Sequence, residues 1–244
     1  LLQARAAFRI ALDAVLPPRC LKCGDILGGE NGLCAPCWQK LAWLSPPCCA
    51  CCGQPFQFES SIGSLCGACL QKRPAYDRAR AVFRYDDESR HLILGFKHAD
   101  RTELAPSLAR WMARSGAELI ADCALIVPVP LHWTRLAIRR FNQAGLLAQA
   151  IGKLADRPVE PRALTRRRAT RSQGRLSRLA RRRNVQGAMT VTPRFVPLVA
   201  GRRILLVDDV ITTGATAETA AKALISAGAS AVDVVALAKV VRAD

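Results

Sequence analysis

Several features that define common protein classes are missing from this sequence. No apolar run approaches the roughly 18 uncharged residues that a membrane-spanning helix needs, so no such helix is predicted. Acidic residues are scarce: 19 Asp and Glu stand against 36 Lys and Arg, which gives a net charge of +17. That balance favours anionic partners such as nucleic acid or phosphorylated metabolites. Half of the 244 residues are nevertheless apolar, enough for a substantial core.

No export signal is predicted either. The first 16 residues carry Arg5, Arg9 and Asp13 within their apolar stretch, which is untypical of a signal peptide. The pattern predicts an amphipathic helix ended by Pro17 and Pro18. Because the chain starts at Leu1 and not at Met, we expect part of the natural N-terminus to be missing.

Cysteine is concentrated in one region: ten of eleven cysteines lie between residues 20 and 69. Reduced thiols at C-x-x-C spacing favour structural zinc, with all four coordination positions filled by thiolate. Sequential pairing of the knuckles is simplest, and a cross-braced arrangement stays open. Cys48/Cys51 is also a C-x-x-C pair, but Gly53 favours Cys49/Cys52. The expected zinc ligands are Cys20, Cys23, Cys34, Cys37, Cys49, Cys52, Cys66 and Cys69.

The composition changes near Tyr76, after which an α/β rhythm begins. Predicted strands cover 79–85 and 124–127. Predicted helices cover 89–96, 104–119 (broken or bent near Gly116) and 142–154, and a strand–helix–strand unit covers 203–240. We therefore predict a zinc module over 1–75 and an α/β domain over 76–244. The fold class is a mostly parallel sheet flanked by helices, with ligands at the carboxyl ends of its strands.

The segment 204–217, ILLVDDVITTGATA, is the strongest functional signal. An apolar strand over 204–207 is expected to end at two acidic residues, and a Thr/Gly turn then opens a helix whose free N–H groups suit a phosphate. It lacks the lysine of a P-loop and is not G-x-G-x-x-G. The segment resembles the phosphoribosyl-pyrophosphate (PRPP) loop of type I phosphoribosyltransferases. The resemblance implies that Asp208 and Asp209 are catalytic and hold the ribose hydroxyls. The resemblance also implies that the 5′-phosphate is bound by Thr212, Thr213, Gly214, Ala215 and Thr216, and that Mg²⁺ binds together with PRPP.

Cationic residues supply further candidates. Lys97, Arg139 and a lid residue, Arg168, are expected to stabilise pyrophosphate. Ten arginines lie between 162 and 183, and no acidic residue occurs between Glu160 and Asp208. Within this run Arg175, Arg178 and Arg182 share one helical face and are candidates for contacting nucleic acid.

The motifs CLKCG, LCAPC, CACCGQP, LCGAC, GFKH, IVPVPL, RRFNQA, LTRRRATRSQ, RRRNVQGA and LLVDDVITTGATA resemble, in this order, those of the ComF family. That resemblance implies a zinc module ahead of a type I phosphoribosyltransferase domain, a role in natural competence and incoming single-stranded DNA, and a cytoplasmic location. Arg140 stands where the family commonly has glycine, which puts a side chain in a tight loop.

Two functions remain open. One is a phosphoribosyltransferase-type protein that binds PRPP or a nucleotide with Mg²⁺. The other is a non-enzymatic adaptor for single-stranded DNA on the same scaffold, although the arginine run has no aromatic residue for base stacking. The zinc module is also a candidate to dock a protein of the DNA-uptake machinery through Trp38 and Trp43, although core packing is their commoner role. The residues do not identify the acceptor substrate.

Overall fold

The computed structural model describes residues 17–29, 32–98, 101–131, 141–166 and 187–241. The helix predicted for the first 16 residues lies outside these ranges. The strands are β1 (Arg78–Arg84), β2 (Leu125–Pro128), β3 (Leu164–Arg166), β4 (Met189–Val191), β5 (Arg203–Ile211) and β6 (Ala231–Lys239). The helices are α1 (Ala35–Lys40), α2 (Gly67–Gln71), α3 (Asp87–His98), α4 (Ala105–Ser115), α5 (Ala117–Asp122), α6 (Gln143–Ala155), α7 (Val196–Val199) and α8 (Ala215–Ser226).

Four of the strands form one parallel sheet in the order β1-β6-β5-β2, as the α/β rhythm predicts. Every residue of β6 is buried, as expected for a strand covered on both faces. Alternate residues of β5 point into two separate apolar cores. Ile204 and Leu206 join the core under α8, whereas Leu205 and Val207 join the core under α3, α4 and α6. The carboxyl ends of all four strands therefore meet at one edge.

The cysteine-rich region contains an internal repeat that is clearer in the structure than in the sequence. We call residues 20–37 the first ribbon and residues 49–69 the second ribbon. In the first ribbon Cys20 N donates to Asp25 O at 2.7 Å, and in the second Cys49 N donates to Gln54 O at 2.8 Å. A short helix follows the third cysteine of each ribbon, namely α1 after Cys34 and α2 after Cys66. The region is therefore two copies of one knuckle-and-helix unit.

The second ribbon and the segment between the ribbons cover the free edge of β1. Ala79 N donates to Cys51 O at 2.6 Å, and Leu44 N donates to Val82 O at 2.9 Å. Gly53 makes this approach possible, because a Cβ there would lie 2.4 Å from Ala79 O and its φ is +67°. Pairing the edge in this way removes a site for aggregation and attaches the ribbon to the sheet.

An aromatic cluster joins the first ribbon to the same strand. The ring centroids of Trp38 and Trp43 lie 3.8 Å apart, and Trp43 packs edge-on against Phe83 at 4.7 Å. Trp43 is partly buried against the core, as expected for a tryptophan that packs in the core, but Trp38 remains 43% exposed. Docking of a partner at these residues stays a prediction.

One sequence prediction needs correction, and one strand pair was not predicted. The strand expected to end before the aspartates continues through them to Ile211, because Asp208 pairs with Ala236 and Ile211 with Lys239 of β6. The antiparallel pair β3–β4, which flanks the arginine-rich segment, was not predicted, since three-residue strands leave too little periodicity. The predicted break at Gly116 is confirmed by the separation of α4 and α5. No helix in the described ranges is long and apolar enough to cross a membrane.

Candidate zinc centres and phosphoribosyl pocket

Eight cysteines form two groups of four, each with its sulfur atoms within 4.8 Å of one another. The first group is Cys20, Cys23, Cys34 and Cys37, and the second is Cys49, Cys52, Cys66 and Cys69. The Cys23–Cys34 and Cys52–Cys66 Sγ atoms are 3.6 Å apart. Four thiolates at Zn–S distances of about 2.3 Å in a tetrahedron would be separated by about 3.8 Å. The donor sets therefore fit two closed zinc sites with sequential pairing.

Backbone N–H groups hold one sulfur of each site in the same way. Cys34 N donates to Cys20 Sγ, and Cys66 N donates to Cys49 Sγ, both at 3.3 Å. Burial raises the pKa of these two thiols, but the backbone donors outweigh it and bring the pKa of Cys20 to about 6 and that of Cys49 to about 7. The thiolate form that zinc requires is thus favoured at one sulfur of each cluster.

The candidate ligand pocket lies at the carboxyl end of β5. Asp208 and Asp209 are consecutive in the strand, so their side chains leave opposite faces of the sheet. Asp208 is buried, and its Oδ1 accepts the Asp209 N–H at 2.8 Å. Burial first, and then the charge of Asp209, raise the pKa of Asp208 to about 8. Asp208 is therefore largely protonated near neutral pH in the ligand-free protein.

Asp209 has a partner from another element. Lys97, in the last turn of α3, places Nζ 2.7 Å from Asp209 Oδ2, and both side chains are mostly buried. Gln143, only 1% exposed, donates from Nε2 to the Lys97 carbonyl at 3.1 Å. Gln143, at the start of α6, thus holds the end of α3 in place, and this fixes the position of the Lys97 ammonium group.

These side chains line a cavity of about 180 Å³, which we call the aspartate cavity; its polar lining residues include Lys97, Asn142, Gln143, Arg166, Asp208, Asp209, Thr212 and Thr216. Asn142 donates from Nδ2 to Val129 O at 3.1 Å, while its buried Oδ1 accepts no hydrogen bond within the described part of the chain. An oxygen acceptor, two carboxyl groups and two cations converge here. Such a set can bind hydroxyl and phosphate groups together.

The turn at residues 212–216, which we call the phosphate turn, follows shortly after the two aspartates in the sequence. Gly214 takes φ +78° at the N-cap of α8, a conformation that favours glycine. Thr213 Oγ1 accepts a weak hydrogen bond from Ala215 N at 3.4 Å. Thr212 and Thr216 line the aspartate cavity, whereas Thr213, Gly214 and Ala215 line a cavity on the opposite side of the turn. The five predicted phosphate residues therefore surround the start of a helix, whose positive end attracts anions.

The structure thus brings Lys97, Asp208, Asp209 and the turn together. Arg139, Arg168, Arg175, Arg178 and Arg182 lie outside the described residues, so their roles stay predictions. Asn142, Gln143 and Arg166 were not expected as site residues. Asn142 and Gln143 belong to the motif RRFNQA, but their residue types alone do not indicate that one faces the cavity and the other supports Lys97.

Comparison with known proteins agrees with this architecture. Residues 11–70 match the family described as "Double zinc ribbon domain", and residues 113–242 match "Phosphoribosyl transferase domain". The chain is 33% identical to "Competence protein F" of Haemophilus influenzae over 91% of its length and 96% of that protein's. It is 34% identical to "DNA utilization protein YhgH" of Escherichia coli K12 (90% and 96%) and 24% identical to "Competence protein ComFC" of Bacillus subtilis (84% and 83%).

The fold and the two cysteine clusters define a protein of the type I phosphoribosyltransferase fold that carries a double zinc ribbon. Within that class, the similarity along nearly the whole chain shows that it belongs to the ComF family of competence and DNA-utilization proteins.

Zinc content tests the sequential pairing of the cysteines. Wild type is expected to hold two zinc ions per chain. Cys23→Ser combined with Cys34→Ser is expected to retain one ion, because both removed ligands belong to the first cluster, whereas cross-braced pairing would lose both ions. Cys48→Ser is the matched control and should keep both ions. Metal analysis of the purified proteins checks this; loss of zinc in the Cys48 variant would contradict the assignment.

The pH dependence of stability tests the buried state of Asp208. The folded protein keeps this proton up to about pH 8, whereas the unfolded chain releases it near its ordinary pKa of 3.8. Wild type therefore loses stability as the pH rises from 3.8 to about 8. Asp208→Asn has no carboxyl group to titrate at this position, so its stability does not fall for this reason. The variant's advantage in free energy of unfolding should grow by up to about 1.4 kcal/mol per pH unit. Urea unfolding at several pH values measures it, and a difference independent of pH would contradict the account.

Proposed function

We propose that the protein binds PRPP, or a nucleotide with the same sugar phosphate, together with Mg²⁺. The observation that carries this proposal is that Asp208 and Asp209 line the aspartate cavity immediately before the turn at residues 212–216. The carboxyl oxygens would accept the two ribose hydroxyls, and the N-terminus of α8 would hold the 5′-phosphate.

The diphosphate end would lie toward Lys97 and Arg166, on the β2 side of the cavity. Binding would require Lys97 to be shared between Asp209 and the ligand, which the 2.7 Å ion pair allows because an ammonium group has three donors. The carboxyl oxygens and the buried Asn142 Oδ1 fit a hard cation that prefers oxygen. When bound, Mg²⁺ supplies neutralisation of the diphosphate charge.

For a transferase reaction, the chain's own residues would act mainly by position. The turn and the aspartates would fix the sugar, and the cations beside β2 would stabilise the charge that develops on the departing diphosphate. The division into a zinc module over 1–75 and a phosphoribosyltransferase-like domain over 76–244 remains a prediction. The cytoplasmic location also remains a prediction.

Calorimetry with PRPP and Mg²⁺ tests the first function. Asp208→Ala combined with Asp209→Ala should weaken binding by at least about tenfold, because both carboxyl groups that accept the ribose hydroxyls are removed. Glu103→Ala is the matched control and should bind like wild type, because Glu103 is exposed, pairs with Arg101 and does not line the aspartate cavity. Absence of PRPP binding by wild type, or equal binding by the double variant, would reject the proposal.

A second function, binding of single-stranded DNA, is favoured by the net charge of +17 and by relatives named for competence and DNA utilization. Neutralising Arg175, Arg178 and Arg182 to Gln should weaken binding to an oligonucleotide. It should also reduce the salt dependence of log K by about 0.7 for each DNA phosphate that the protein no longer neutralises. Fluorescence anisotropy across a salt series measures both. The double aspartate variant should bind DNA normally; joint loss of DNA and PRPP binding in that variant would argue for one shared site.

A further inference from the structure

Three tryptophans line a surface groove that lies apart from the aspartate cavity. Trp38 belongs to α1, Trp43 to the segment between the ribbons and Trp111 to α4. The groove has a volume of about 630 Å³ and also reaches Arg80 on β1; we call it the tryptophan groove. It shares no lining residue with the aspartate cavity, so a ligand bound here would not compete for the same side chains.

Trp38 offers the groove an aromatic face. Its ring is stacked on that of Trp43, with centroids 3.8 Å apart and planes inclined by 33°. One face of the Trp38 ring is therefore covered, yet 43% of the residue is exposed, so the exposed part includes the opposite face. An exposed aromatic ring of this kind can stack on another flat ring.

Contacts within the cluster hold that ring in place. Trp43 donates from Nε1 to the Trp38 carbonyl at 3.1 Å. Trp111 meets both rings edge-on, with its centroid 6.3 Å from that of Trp38 and 5.6 Å from that of Trp43. Because the ring is already ordered, stacking on it costs little conformational entropy.

The charge beside the rings is positive. Arg114, one turn after Trp111 in α4, lines the groove, is exposed, and makes no hydrogen bond or ion pair within the described part of the chain. The acidic residue of the lining, Glu118, is paired with Arg80 at 2.8 Å. The groove therefore combines a stacking surface with a guanidinium group that is available to an anion.

Single-stranded DNA matches both features. Its bases are flat rings that are free to stack, and its phosphates are anions spaced along the same strand. An apolar peptide would use the rings but would gain nothing from Arg114 or from the net charge of +17. The arginine-rich segment at 162–183 contains no aromatic residue, so base stacking has to be supplied by another part of the chain.

We propose that the tryptophan groove binds single-stranded DNA, with a base stacked on the exposed face of Trp38 and a neighbouring phosphate bound by Arg114. This inference rests on the second proposed function and extends it, because it assigns base contact to a surface separate from the aspartate cavity and from the arginine-rich segment. Since every base has a flat face, the groove should show little sequence preference.

Fluorescence anisotropy with two labelled probes tests the stacking: an oligothymidylate, and an abasic strand of the same length that has the phosphates but no bases. Trp38→Ala should weaken binding of oligothymidylate by at least about fivefold and leave the abasic strand unchanged. Trp38→Tyr, which keeps a ring, should retain part of the affinity. Phe58→Ala is the matched control, because Phe58 is an exposed aromatic residue that does not line the groove.

The phosphate contact has a separate signature. Arg114→Gln should weaken both strands and reduce the salt dependence of log K by about 0.7, whereas Trp38→Ala should leave that dependence unchanged. Arg202→Gln, at an exposed arginine outside the groove, is the matched charge control. In wild type, oligothymidylate should quench tryptophan fluorescence and the abasic strand should not, which tests stacking without any substitution.

Equal binding of oligothymidylate by wild type and Trp38→Ala would overturn the proposal and leave the groove to a protein partner. Equal weakening of both strands in Trp38→Ala would also overturn it, because the loss would then come from a disturbed ribbon and not from stacking. Failure of the second function itself looks different, since wild type would then bind neither strand.

Discussion

The site depends on the parallel pairing of β5 with β6, which continues past the two aspartates to Ile211. A strand that ended at Val207 would leave both carboxyl groups on a loop. Because the ladder persists, adjacent aspartates are fixed on opposite faces of the sheet, and the turn starts at a defined position. The last pair of the ladder joins Ile211 to Lys239, directly before the turn.

The electrostatic arrangement follows from that geometry. Asp209 faces α3 and is paired with Lys97, while Asp208 remains buried without an ion pair in the described part of the chain and keeps its proton at neutral pH. The chain as a whole is strongly cationic, so an anionic ligand is attracted to the region before any specific contact forms. A pocket that is partly protonated and internally paired is ready to exchange those interactions for the hydroxyls and phosphates of a ligand.

Much of the fold and of the candidate site could be predicted from local sequence. The C-x-x-C spacing, the apolar strand before Asp208 and the glycine at the start of α8 are short-range patterns with direct physical meanings. Contacts between distant segments could not be predicted in the same way. The approach of the second ribbon to β1 depends on Gly53 meeting Ala79 O, and the support of Lys97 depends on Gln143 in another helix. Sequential and cross-braced pairing of the cysteines use the same spacing, so only the fold distinguishes them.

The central claim is that the end of β5 holds a sugar diol and the following turn holds its phosphate. A crystal structure of the protein with PRPP and Mg²⁺ tests it most directly. The account predicts ribose hydroxyls within hydrogen-bonding distance of Asp208 and Asp209, and the 5′-phosphate against the N-terminus of α8. Ligand density at another surface, with the aspartate cavity closed by the protein's own side chains, would contradict it.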